Sequence, residues 1–425
     1  MLGTLLRTVG LVLALGAPAQ AALTPIDHLM ADNYPAARAA LAAEVGHRPD
    51  AALHFAFLEG LVLVRQGQHE KAADLFRQIL DVAPGFEPAR RELTVLLART
   101  GNTTSALYHA ESLLATTQDP ALRAELQGYI ATQSRGKPRG VTTRFAIVPS
   151  SNANGGATTD TVIIAGLPFT LDPESRATSA IGVTLGATAW NRWQLSERTD
   201  GTLSGSIDIL RYNHPSVSDE TTAALRFDLG ITRNRGRMQF GPVADMTWKN
   251  DRPYRKRLGI TVSGQYLLRP DLQVGGGLTL WRLRHPDLDF LDGSLVKGEL
   301  TASYIARPDL RLAVSLPFEV EKTNRSHLDH RDLGLAVSLE KSWSGGLSTG
   351  FSLGQSRNRY NGIYPGFAVP RRDRVTTVGL TLRHNDIRLG SFVPELSLRL
   401  TRSRSNIPFH DYSRRDVGLS LTQRF

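Results

Sequence analysis

Several groups of side chains in this chain carry chemistry by type. Ser326, His327, Asp329 and His330 put a hydroxyl, two imidazoles and a carboxylate side by side, the groups a hydrolase or a metal pair would use. They lie between two alternating segments, where such a run reads as solvated loop, so no catalytic or metal-binding residue is assigned. Ser151-Asn152-Ala153-Asn154 with Asp160 offers oxygen ligands, but at a spacing that fits no EF-hand loop. Gly275-Gly276-Gly277 sits inside a strand pattern, where it marks a bend or a close backbone approach rather than a phosphate cradle. There is no Gly-x-x-x-x-Gly-Lys-Ser/Thr run to hold a nucleotide. With no cysteine, thiolate metal sites, thiol catalysis and disulfides are excluded. The residues therefore describe no enzyme and call for no cofactor.

The elements that position these residues change character along the chain. From about residue 141 the apolar period is two. Ile181, Val183 and Leu185 alternate with Gly182, Thr184 and Gly186, and Leu258, Ile260 and Val262 with Gly259, Thr261 and Ser263. Leu333, Leu335 and Val337 alternate with Gly334, Ala336 and Ser338. Small and charged residues on the second face would spoil a dry sandwich core but suit a wet lumen. Short turns at 269–271, 307–309, 344–346 and 385–386 alternate with long loops near 150–175, 283–293, 321–331, 358–371 and 402–412. The segments amount to about fourteen strands of membrane-crossing length. Val417, Leu419, Leu421 and the terminal Phe425 share one strand face, the pattern of a barrel-assembly signal. Trp190, Trp193, Trp248, Tyr266, Trp281, Tyr304 and Trp343 stand near strand ends, as interfacial girdles require.

Ahead of this lies a helical half. Arg7, the apolar run 9–15 and Ala19-Gln20-Ala21 read as a secretory signal over residues 1–21. From 22 to 133 the chain is rich in Ala and Leu at helical spacing. Gly60, Gly67, Ala72, Phe76 and Pro84 follow the tetratricopeptide pattern, with echoes near Tyr34 to Pro49 and near Gly101 to Ala110. Residues 134–140 read as a linker and 141–425 as the barrel. The fold class is thus α + β in two domains: an α-solenoid, then an antiparallel transmembrane β-barrel. An even strand number puts both barrel ends, and so the helices, in the periplasm. Residues 1–140 hold 13 Lys and Arg against 13 Asp and Glu, so the whole excess of +10 falls beyond residue 140. In an exported chain that charge is expected on lumen and loops, not on nucleic acid. Arg371, Arg372, Arg374, Arg414 and Arg415 begin strands after long loops, where they can contact lipopolysaccharide phosphates.

Signal, short repeat domain and barrel together resemble the surface lipoprotein assembly modulator (Slam) family over nearly the whole mature chain. The local likeness is strongest around Phe145 to Asn154, where Pro149, Ser150, Asn152 and Asn154 are similar to the family's loop after its first strand. Gln423 departs from the usual apolar residue near the terminal aromatic. The resemblance implies an outer-membrane protein that moves a passenger, a surface lipoprotein or a secreted soluble protein, from periplasm to cell surface. Its partners would be that passenger, outer-membrane lipids and, during biogenesis, the barrel-assembly machinery. On the helical face, Phe55, Leu58, Tyr108 and Glu111 are candidate passenger contacts; the same positions would also serve as solenoid core. A polysaccharide exporter with a helical docking domain and a general porin are the alternatives.

Overall fold

A computed structural model describes residues 23–100, 103–117, 119–134, 138–164, 166–269, 271–307, 309–343, 347–384, 387, 389 and 392–424. The expected signal segment and Phe425 lie outside the described residues. The chain separates into two compact units, up to Leu96 and from Leu97 onward.

Helices open the chain: α1 (Pro25–Met30), α2 (Tyr34–Val45), α3 (Ala51–Arg65), α4 (His69–Val82), α5 (Glu87–Arg99), α6 (Thr103–Thr116) and α7 (Pro120–Ser134). Thr24 caps α1 in a capping box with Asp27, and the Asn33 side chain caps α2, so both starts are satisfied locally. Leu29, Ala37, Leu41, Val45, Leu58 and Val62 form one core across α1 to α3. Gly60 lets α3 approach α4, because a Cβ there would collide with the ring of Phe76, itself fully buried. Further on, α6 and α7 bury Ala110, Leu113, Leu122 and Leu126 together.

The strands are β1 (Arg139–Ser150), β2 (Thr161–Ile164), β3 (Leu167–Thr170), β4 (Ala180–Gln194), β5 (Thr199–Tyr212), β6 (Glu220–Arg233), β7 (Gly236–Lys249) and β8 (Arg252–Arg269). They continue as β9 (Leu272–Arg284), β10 (Gly293–Arg307), β11 (Leu310–Thr323), β12 (His330–Ser342), β13 (Leu347–Ile363), β14 (Pro370–His384), β15 (Val393–Ser405) and β16 (Tyr412–Arg424). All but β2 and β3 join in one closed barrel, which β1 completes by pairing with both β4 and β16. That makes fourteen antiparallel strands; β2 and β3 form a separate hairpin in the β1–β4 connection.

Alternation sorts the barrel faces as the sequence suggests. Leu258 and Ile260 are exposed on the outside at 66% and 63%, whereas Thr261, next along the strand, turns inward at 4%. The start of β1, the end of β16 and the turns 195–198 and 234–235 share one end of the barrel, here the proximal end. The longer connections 151–179, 213–219, 285–292, 324–329, 364–369 and 406–411 share the other, distal end. Two connections break the rule: at the distal end Asn250 and Asp251 both take positive φ (46° and 61°) and turn β7 into β8 directly, and at the proximal end the expected short turn at 385–386 is a longer connection, since β14 ends at His384 and β15 begins at Val393. The aromatic girdle is also thinner than expected, since Trp281 turns inward and its ring lies under the Arg257 guanidinium, 4.7 Å away.

Candidate functional site in the lumen and at the distal cap

The inward face is polar because strand period two leaves it the small and charged residues. Its charges are largely paired. Arg237 of β7 grips Asp200 of β5 through two bonds of 2.7 and 2.8 Å, and Arg257 holds Asp245 at 2.8 Å. The first of these pairs passes over β6 at Gly230, where a Cβ would collide with both partners. Gly186 plays the same part on β4, letting Arg144 of β1 reach Asp208 of β5 at 2.8 Å. Each glycine thus buys a bridge between strands that are not neighbours. On β8 to β11 the lining is mostly small: Thr261, Ser263, Gly275, Gly277, Thr279 and Thr301 border an open cavity of about 590 Å³. The glycine triplet sits in that wall, where Gly275 approaches the Gly264 carbonyl.

Closure of the barrel is uneven. β1 pairs with β4 without interruption from Arg139↔Asn191 to Ser150↔Ala180. Against β16 its register runs to Ile147↔Leu419, skips Val148 and Pro149, and resumes at Ser150↔Asp416. The backbone groups of Ile181, opposite Pro149, are engaged with Asn213, so the edge of Pro149 that lacks an N–H faces β16.

Beyond that gap, side chains stitch the seam. Ser151 N–H donates to the Arg415 carbonyl, and Arg415 N–H donates to Ser151 Oγ at 2.9 Å. Asn152 is fully buried; its amide donates to the carbonyls of Gly156 and Ser413 and its oxygen accepts from Gly156 N–H. Asn154 donates to the carbonyls of Glu174 and Arg176 and accepts from Thr178 N–H. Ala157, Val162 and Leu171 of this connection then pack on Phe367 and Phe409, which belong to two other distal connections. His410 closes the same cap, its Nε2 3.1 Å from the Tyr364 hydroxyl. Burial, with the nearby Arg371 charge, pushes His410 down to about 4.

The other sequence candidates fall in distinct places. Asp329 accepts from Thr323 N–H and closes the loop it sits in, while His330 instead faces Glu319 at 3.5 Å across the hairpin. Glu319, Glu321 and His330 each bring one ligand atom within 4.8 Å of the others. No linear spacing announces that group, because β11 and β12 supply it through register Glu321↔His330. Arg371 and Arg414 turn inward onto Asp373 and Asp416 at 2.6 and 3.0 Å. Arg372, Arg374 and Arg415 are exposed outside. Leu58 is core and Phe55 packs half-buried against it under Arg38. The side chains of Tyr108 and Glu111 lie outside the described residues. Val417 and Leu419 are exposed on the outer face.

The family model described as "Surface lipoprotein assembly modifier" matches residues 141–425, the whole barrel. A surface lipoprotein assembly modifier of Pasteurella multocida is 21% identical over 389 residues, covering 86% of this chain and 75% of its own. Surface lipoprotein assembly modifier 2 of Neisseria meningitidis serogroup B is 30% identical over 98 residues, 23% of this chain and 19% of its own. Among solved structures, a Salmonella typhi OmpF in complex with daunomycin aligns at 10% identity and TM-score 0.40, covering 68% of this chain and 97% of that one.

Proposed function

The chain belongs to the surface lipoprotein assembly modifier family, and from that premise we propose that it moves a partner protein from the periplasm to the cell surface. The observation that carries the reading is the family match across the entire barrel, 141–425. The passenger is a surface lipoprotein or a secreted soluble protein. The helical half, read as a periplasmic solenoid with half-buried Phe55 among its candidate contacts, holds the passenger; the barrel passes it outward.

Two physical features support the reading. A fourteen-strand lumen admits an extended chain but not a folded domain, and many of its charges are paired within the wall, so a passing segment meets a lining rich in Thr, Ser and Gly. Folding of the passenger outside supplies the driving force. Outer-membrane lipids surround the barrel, and the face of Val417, Leu419 and Leu421 serves the assembly machinery.

A passenger locked by an engineered disulfide tests the transit step. The proposal expects the locked form to stay periplasmic and to surface once reduced. A locked passenger that surfaces at the unlocked rate contradicts it.

A further inference from the structure

On the outer wall, arginines of three adjacent strands stand in register. Arg374 of β14 is flanked directly by Arg357 of β13 and Arg404 of β15. One row nearer the distal end, Arg372 stands opposite Arg359. All five are exposed, and they line a cleft of about 330 Å³ with Asn358, Asp373 and Ser405. Asp373, the lone carboxylate among the lining, turns inward and is already held by Arg371 at 2.6 Å. Among the described residues none of the five arginines forms an ion pair. Nearby Arg402 does, with Asp411 at 2.6 Å, so carboxylates are within the chain's means at this rim.

Like charges directly opposite one another on a sheet destabilise it, so a guanidinium row across three strands is stable with an anion seated on it. Guanidinium forks match phosphate oxygens two at a time. What lies beneath identifies the anion's carrier. Moving toward the proximal end, the next rows are Gln355, Thr376 and Arg402, then Leu353, Val378 and Leu400, then Phe351, Leu380 and Leu398. Leu353, Leu380 and Leu400 are exposed at 47%, 45% and 40%. Phosphate-binding groups stand directly above an apolar wall, about 7 Å per row, the layout of an anionic headgroup above its acyl chains.

We propose that the outer face of β13 to β15 is a binding site for the phosphorylated headgroup of an outer-leaflet glycolipid, gripped by Arg357, Arg374 and Arg404 with Arg359 and Arg372 above. The assignment rests on the outer-membrane reading, with the 364–369 connection on the outside. It anchors the barrel wall that carries one side of the cap, since β14 begins where Phe367 and Phe409 meet. A free phosphate satisfies the arginines but not the leucines below, and an acidic passenger segment has no use for them either.

The test titrates the purified full chain in detergent with lipid A in mixed micelles. Companion titrations use inorganic phosphate and a zwitterionic phospholipid. The variant R357Q/R374Q/R404Q is expected to raise the dissociation constant for lipid A about tenfold or more. A charge-matched control, K256Q/R282Q/K322Q, also on exposed strand positions, is expected to stay within about twofold. Barrel closure of each is checked by heat-modifiable gel migration. If the triple variant does not close, R374K replaces it; keeping charge but losing the fork, it should weaken binding about threefold. Equal binding by wild type and the arginine variants overturns the proposal, as does an equal loss in the control. Full displacement by inorganic phosphate would make this a free-anion site and not a lipid site. Because passenger movement is not read in this titration, the site can fail while the translocation reading stands, and the reverse.

Discussion

Asn152 donates its side-chain amide to the Ser413 carbonyl at 3.2 Å, joining the exit of β1 to the start of β16 just past the place where Pro149 leaves the ladder open. Pro149 has no N–H to give to β16, and the pairing resumes beyond it through Ser151 N–H and the Asn152 side chain. Asn152→Ala removes two donated bonds and one accepted bond from a fully buried position, at a cost of about 1–3 kcal/mol to the cap. Hydrogen exchange should then rise at 151–158 and 413–415 and stay unchanged at the β1–β4 pairs. Unaltered exchange at 151–158 contradicts the assignment.

His410 makes the cap sensitive to pH. Its pKa is depressed from the usual imidazole range to about 4 by burial and Arg371, partly offset by Asp373. An opened cap would take up the proton near pH 6.5, so the closed form binds fewer protons between those limits. Closure is therefore fully stabilised above about pH 6.5 and weakens as pH falls toward 4. Exchange at 364–369 should increase over that window in the wild type and lose its pH dependence in His410→Phe. The same slope in both proteins would rule out His410 as its source.

Gly60 sets the spacing of α3 and α4. Gly60→Val drives a side chain into the Phe76 ring and should cost about 1–3 kcal/mol, lowering the midpoint of the helical signal in far-UV thermal scans. The barrel's heat-modifiable migration should not change. A helical midpoint equal to wild type would show that the two helices part freely here.

In the lumen, Asp200→Asn leaves Arg237 half-enclosed without its two charge-assisted bonds, a loss of about 3 kcal/mol or more. Gly230→Ala should weaken the same bridge by crowding it. Both variants are expected to unfold at lower denaturant than wild type, and the double variant at about the level of Asp200→Asn alone. Full additivity would show that Gly230 does not act through this pair.

Much of this architecture is legible in the sequence because strand period and lumen chemistry are linear signals. The alternation of Leu258, Ile260 and Val262 with Gly259, Thr261 and Ser263 separates lipid face from lumen before any coordinate is known. What a linear reading misses is register. Arg371 and Arg372 are adjacent in sequence, yet one enters an inward ion pair and the other an outward arginine row. The partners of Arg374 stand at 357 and 404, and those of His330 at 319 and 321, each fixed by hairpin pairing. Arg144 and Asp208 meet only because Gly186 lies between them. The Asn250-Asp251 turn was readable by residue type but not by loop length, since both residues tolerate the left-handed backbone that a direct hairpin needs.

The most direct test of the account is to express the chain with and without residues 22–136 beside an exported β-rich or lipid-anchored partner, and to measure protease-accessible partner on intact cells. The account predicts surface exposure that requires both the barrel and the helical half. A partner that surfaces equally well in cells lacking the whole protein would contradict it.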